Sequence, residues 1–139
     1  MMLAMNVDQS QVNLSELLSG LVDVMPADDR EITGIETDSR NIQPGNLFIA
    51  LPGTREHGSA YVTEAIDRGA IAVVIDQEWA EVEQHNGVVP VYRLAGAANR
   101  VGPIASRFYG HPSRHMSVIG ITGTNGKTSC SVLIAQCLE

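Results

Sequence analysis

Apolar residues in this chain fall in short blocks separated by Gly, Pro and polar turns, and the spacing inside the blocks alternates between two kinds. Leu14, Leu17, Leu18 and Leu21 recur at helical spacing, which predicts a short helix over 14–19 with Asn13 as its cap and Gly20 as its stop. Residues 32–37 read as a strand anchored by Ile32 and Ile35. They are followed by Asp38-Ser39-Arg40 and the turn Gln43-Pro44-Gly45-Asn46. Residues 47–51 and 70–75 are wholly apolar runs of strand length, the pattern of strands buried on both faces. Between them lie a polar loop, 52–58, and a helix predicted to run from a Ser59 cap to Arg68, with Tyr61, Val62, Ala65 and Ile66 on one side and Gly69 as its stop. A further strand over 88–92 and a helix over 95–109 complete the alternation. Gly102-Pro103 should kink or split that helix. Strands alternating with helices across 32–109 define an α/β domain, and Gly110-His111-Pro112-Ser113 is the expected boundary after it.

Composition narrows the partners. The 139 residues are 44% apolar with a formal net charge of −7, so a packed core is expected rather than a disordered chain. With six aromatic residues, that core must rest on Val, Ile, Leu and Ala. The acidic balance argues against nucleic acid, which requires a basic face. The longest apolar run, six residues, is far below the roughly 20 needed to span a bilayer. The first residues lack the basic and apolar regions of a secretory signal. Cys130 and Cys137 stand two helical turns apart, about 10 Å, too far for a disulfide, and read as packing residues. Free thiols in an unexported chain point to the cytoplasm. His57, His85, His111 and His115 have no metal-ligand spacing, and Glu78, Glu81 and Glu83 read as a solvated face.

The segment with the most chemistry follows the boundary. Residues 116–122 read as a strand, Gly123-Thr124-Asn125-Gly126-Lys127 as a Gly-rich turn, and 128–138 as a helix. Strand, Gly-rich turn with Gly-Lys-Thr, and helix is the phosphate-loop arrangement. Backbone N–H groups and the helix dipole face phosphate oxygens. In that arrangement Lys127 would reach the β- and γ-phosphates as the catalytic cation, and the Thr128 hydroxyl would bind Mg²⁺. The glycine usually found five residues before the Gly-Lys pair is Ile121 here. An ordinary strand-to-helix turn with an exposed lysine is the bland alternative.

The string Gly120-Ile121-Thr122-Gly123-Thr124-Asn125-Gly126-Lys127-Thr128 resembles the ATP loop of the Mur ligases, in which this glycine spacing is the family's own. Thr37-Asp38-Ser39-Arg40, Pro44 to Ala50, Gly69-Ala70 and Phe108 to Ser113 resemble the same family, so that the likeness runs from about residue 14 to the end. Thr124 and Asn125 favour the branch that adds the third residue of the peptidoglycan stem peptide. The branch that adds D-Ala-D-Ala, and a non-catalytic UDP-sugar-binding module, are the alternatives. Folylpolyglutamate synthetases share the loop core but follow its lysine with Gly-Ser, where this chain has Thr128-Ser129.

The resemblance implies that Gly123, Thr124, Asn125, Gly126, Lys127, Thr128 and Ser129 hold ATP. It also implies that Thr37 and Ser39 contact the nucleotide of a UDP-linked substrate and that Thr54, Arg55 and Glu56 contact its UDP-sugar. Hydroxyls, backbone N–H groups and a guanidinium at loop ends suit a diphosphate. Read from spacing alone, Asp38-Ser39-Arg40 is a solvated turn. The implied substrate is UDP-N-acetylmuramoyl-L-Ala-D-Glu, whose D-glutamate carboxylate is activated by ATP as an acyl phosphate and captured by an amine. The expected division is a UDP-binding domain over 1–112 and the start of an incomplete ATP-binding parallel-sheet domain over 113–139, so that this chain alone is expected to be inactive. Residues 1–110 are expected to fold alone. Residues 114–139 should dock on them, stay mobile, or self-associate through 116–138, because one strand and helix of a parallel sheet cannot bury both faces.

Overall fold

The structure is a computed structural model and describes residues 11–51, 61–78 and 88–138. Its centre is a four-stranded sheet of β3 (Gly34–Glu36), β4 (Asn46–Ile49), β5 (Ala72–Asp76) and β6 (Val91–Leu94), all parallel and in that order. A two-residue antiparallel ladder pairs β1 (Val12–Asn13) with β2 (Glu31–Ile32) beside it. The expected strand over 32–37 is therefore broken at Thr33. Ile32 serves the antiparallel ladder, Gly34 the parallel sheet, and the Thr33 N–H between them bonds the Gly45 carbonyl at 3.0 Å.

The wholly apolar runs do lie in strands covered on both faces, as their pattern predicts. Leu47, Ile49, Ala72 and Val74 face α1 (Leu14–Leu17) and α3 (Ala97–Phe108), packing on Leu14, Leu17, Leu18, Ile104 and Phe108. The alternate residues Phe48, Ala50, Val73 and Ile75 meet Val62 and Ala65 of α2 (Val62–Asp67) together with Ile42. This period of two, with aliphatic residues on both sides, is the reason so few aromatics suffice.

Several boundaries shift for identifiable reasons. Asn13 does not cap α1 with its side chain. Asp29 closes that helix from a distance, accepting from the Ser15 N–H at 2.9 Å and the Ser15 hydroxyl at 2.8 Å. Arg107 ties down the other end, donating to the Leu17 and Ser19 carbonyls at 2.7 and 2.8 Å. The last strand is β6, three residues later than the first expected position, with Val73 reaching back to the Pro90 carbonyl at 3.0 Å. Helix α3 is not split. Pro103 and Gly102 are exposed, so the missing N–H leaves its carbonyl partner on the solvent side. Helices α2 and α3 both stop in Schellman caps. Gly69 (φ +108°) and Gly110 (φ +69°) take the left-handed position, with Ala70 N–H to the Ala65 carbonyl at 3.0 Å and His111 N–H to the Ser106 carbonyl at 2.6 Å. The Ser59 cap and the loop 52–58 lie outside the described residues.

The expectations past residue 110 fare differently. Residues 116–122 form no strand, because no described strand lies beside them to complete a ladder. Helix α4 (Lys127–Leu138) is present, starting one residue earlier than expected, but buries none of its residues. Docking on the core is thus not observed. Cys130 and Cys137, expected to pack, are exposed, as are Val132, Leu133 and Leu138, because α4 has no facing surface among the described residues. No helix among the described residues is long and apolar enough to cross a membrane.

Candidate functional site

Open parallel sheets present ligand sites outside the carboxyl ends of their strands, where loops fan apart and backbone N–H groups are free of the ladder. Here β3 ends at Glu36 and delivers Thr37, exposed, then Asp38 and a 3₁₀ turn over Ser39–Asn41. The turn follows from Asp38, whose carboxylate accepts from the Arg40 N–H at 3.0 Å and so caps it. The same carboxylate takes Arg40 Nε at 2.9 Å and Nη2 at 2.6 Å, a forked pair within three residues.

Ser39 points the other way. It is 5% exposed and its Oγ donates to Glu64 Oε2 on α2 at 2.7 Å. Glu64 is held in turn by Arg68, whose Nε and Nη2 reach Oε1 at 3.1 and 3.0 Å. Arg68 Nη1 donates back to the Arg40 carbonyl at 3.3 Å, closing the network between the turn and α2. Nothing in the spacing of residues marked Glu64. It lies on the polar side of a short helix, and only the packing of α2 beside the turn brings it to Ser39.

The network is ionised. Hydrogen bonds first from the Arg40 guanidinium and then from the Arg40 backbone N–H lower Asp38 from the usual 3.8 to about 2. Hydrogen bonding from Ser39, and then from Arg68, holds Glu64 below the ordinary carboxylate range. A carboxylate whose folded pKa is lowered contributes stability above its unfolded pKa and loses that contribution as pH falls toward the folded value. For Asp38 the window is about pH 4 down to about 2. A carbon-detected NMR titration should find Asp38 titrating near pH 2, and Arg40→Ala should return it toward the usual range. A midpoint unmoved by Arg40→Ala would remove the fork as the cause.

A second feature lies at the carboxyl ends of β5 and β6. An open cleft of about 340 Å³ is lined by Asp76, Gln77, Glu78, Ala95 and Gly96. Asp76 Oδ2 accepts from the Ala97 N–H at 3.0 Å and caps α3, because Gly96 has no side chain to do so. That carboxylate occupies the position an anion would take at this helix start.

The Gly-rich segment is separate from both. Gly123 and Gly126 take positive φ values of +148° and +76°, and the Cys130 N–H bonds the Gly126 carbonyl at 2.9 Å to open α4. Lys127 folds its ammonium back onto the Gly123 carbonyl, across the loop. Thr124, Asn125, Thr128 and Ser129 are exposed. An exposed loop with two left-handed glycines, a lysine over it and a 12-residue helix behind it fits a polyphosphate. No group of three or more His, Cys, Asp or Glu among the described residues could hold a metal ion. Mg²⁺ here would take the Thr128 hydroxyl together with phosphate oxygens and water, the usual manner for that ion. Of the residues implied for the UDP-sugar, Thr54, Arg55 and Glu56 lie outside the described residues, as does His57.

The family model "Mur ligase family, catalytic domain" matches residues 31–109, more than half of the chain. The chain belongs to the Mur ligase family. It is 46% identical over 130 residues to a UDP-N-acetylmuramoyl-L-alanyl-D-glutamate–2,6-diaminopimelate ligase of Coxiella burnetii, covering 91% of this chain and 25% of that protein. It is 40% identical over 135 residues to the ligase of the same name from Alkalilimnicola ehrlichii, covering 92% of this chain and 27% of the relative. A solved structure of a ligase of that name superimposes with a TM-score of 0.61 at 28% identity, over 91% of this chain and 25% of that one. The chain thus spans about a quarter of the length of the relatives it matches, on their N-terminal part.

Proposed function

We propose that this chain is the N-terminal part of an ATP-dependent amide-forming ligase that joins 2,6-diaminopimelate to UDP-N-acetylmuramoyl-L-Ala-D-Glu in the cytoplasm. Residues 1–112 bind the UDP end, and 113–139 open the ATP-binding domain. The observation that supports the reading is the turn that follows the carboxyl end of β3, which carries Thr37 and Ser39 beside α2 at that end of the parallel sheet. The printed names of relatives 40–46% identical to this chain support the UDP-linked dipeptide and 2,6-diaminopimelate as the substrates.

In this reading Thr37 and Ser39 hold the nucleotide, the loop with Thr54, Arg55 and Glu56 meets the UDP-sugar, and Gly123 to Ser129 cradle ATP. A substrate carboxylate oxygen attacks the γ-phosphorus, ADP leaves, and an acyl phosphate forms. The amine nitrogen then attacks the acyl carbon, phosphate leaves, and the amide remains after loss of a proton. Lys127 neutralises charge on the β- and γ-phosphates. The Thr128 hydroxyl would help hold Mg²⁺, which would supply further charge neutralisation. The 139-residue chain by itself performs binding and not the whole reaction.

Calorimetric titration tests this. UDP-N-acetylmuramoyl-L-Ala-D-Glu should bind the chain, and Ser39→Ala should weaken it about tenfold, near the 1.4 kcal/mol of one good hydrogen bond. Tight Mg-ATP binding with no binding of the UDP compound would overturn the assignment.

A further inference from the structure

We propose that Glu64 is a positioning residue that turns the Ser39 hydroxyl into an obligate hydrogen-bond acceptor, so that Ser39 recognises a donor of the uridine (the ring N–H or a ribose hydroxyl) and not the diphosphate. This rests on the reading above, that residues 37–39 meet the nucleotide.

A serine hydroxyl has one proton and two lone pairs. In this structure the proton is committed to Glu64 Oε2 at 2.7 Å. Glu64 cannot return one, because an ionised carboxylate only accepts, and the hydrogen bonds from Ser39 and Arg68 keep it ionised. Nor can the hydroxyl readily turn away. Ser39 is 5% exposed, and Glu64 is anchored through Arg68 to the Arg40 carbonyl. What Ser39 offers a ligand is therefore a lone pair. The oxygens of a diphosphate at neutral pH are acceptors too, and would meet that lone pair, with the Glu64 charge behind it, unfavourably. An N–H or O–H completes the chain donor to Ser39 to Glu64, and each hydrogen bond in such a chain polarises the next.

The test uses UDP-N-acetylmuramoyl-L-Ala-D-Glu built on four nucleosides: uridine, 3-methyluridine, 2′-deoxyuridine and 3′-deoxyuridine. Each is titrated against the unaltered chain, Ser39→Ala, Glu64→Gln, Glu64→Ala and the double alanine variant. One of the altered nucleosides should bind the unaltered chain about tenfold more weakly than uridine. That discrimination should vanish in Ser39→Ala, shrink in Glu64→Ala, and survive in Glu64→Gln, whose amide oxygen still accepts the Ser39 proton. The double variant should bind no more weakly than Ser39→Ala. A merely structural role for Glu64 would instead lower affinity for all four compounds by the same factor, and the two alanine effects would add. Equal binding of all four compounds to the unaltered chain overturns the inference without recourse to any variant. Failure of the uridine compound itself to bind removes the nucleotide reading beneath it.

Discussion

Phe48→Ala is expected to cost about 3–5 kcal/mol of folding stability, the range for deleting a buried phenylalanine. Phe48 is 1% exposed, sits in the middle of β4, and packs into the cluster that joins the sheet to α2. Its neighbours Val73 and Ile75 belong to β5, and Val62 and Ala65 to α2, so the ring holds the helix that carries Glu64 against the sheet. Few other aromatics are available to refill the space, since the chain has only two Phe, three Tyr and one Trp. A domain of this size has about 5–15 kcal/mol in total, so the variant should lose between about a fifth and the whole of its stability. Urea denaturation followed by far-UV circular dichroism measures it. A loss below about 1 kcal/mol would mean that Phe48 is not enclosed as described.

Gly69→Ala should be nearly as damaging, at about 2–4 kcal/mol from a left-handed backbone and an overpacked contact together. Gly69 has φ +108°, and a Cβ there would stand 2.9 Å from the Pro44 Cα, backbone that cannot swing aside. The Gly69 carbonyl also accepts the Gly45 N–H at 3.1 Å, so the turn before β4 rests directly on the end of α2. The same substitution at Gly110 is a control. It also has a left-handed φ, +69°, but a Cβ there would meet no atom within 4 Å, and the change should cost only the backbone share. Equal losses at the two positions, read as shifts in thermal midpoint, would show that the Pro44 contact contributes nothing.

The two positions show how far the residues alone could be read. Gly69 was legible as a helix stop because a glycine after an apolar-periodic stretch has few other uses. Its contact with Pro44, 25 residues earlier, was not, since nothing local encodes which turn lies against it. The apolar runs of β4 and β5 announced double burial, and the Gly-rich turn with a helix behind it was legible from Gly123, Gly126 and the apolar stretch that follows. The strand expected over 116–122 failed for the opposite reason. Apolar alternation states a capacity to pair, while a ladder needs a neighbour, and none stands beside it among the described residues. The cap of α1 was misplaced likewise. Asn13 is the right type in the right place, yet Asp29 arrives through the β1–β2 ladder and takes the N–H and hydroxyl of Ser15.

Periodicity, glycine stops and the Gly-Thr-Asn-Gly-Lys-Thr string were enough to determine the alternating α/β order, the two-sided core and the family likeness. These depend on contacts and conformations local to a few residues. Tertiary structure alone decided that Ser39 lies against Glu64, that Arg68 anchors the pair, and that α4 has no covering surface among the described residues. Each of those is a meeting of segments distant in the chain, set by how helices close over the sheet, and side-chain spacing carries no record of it.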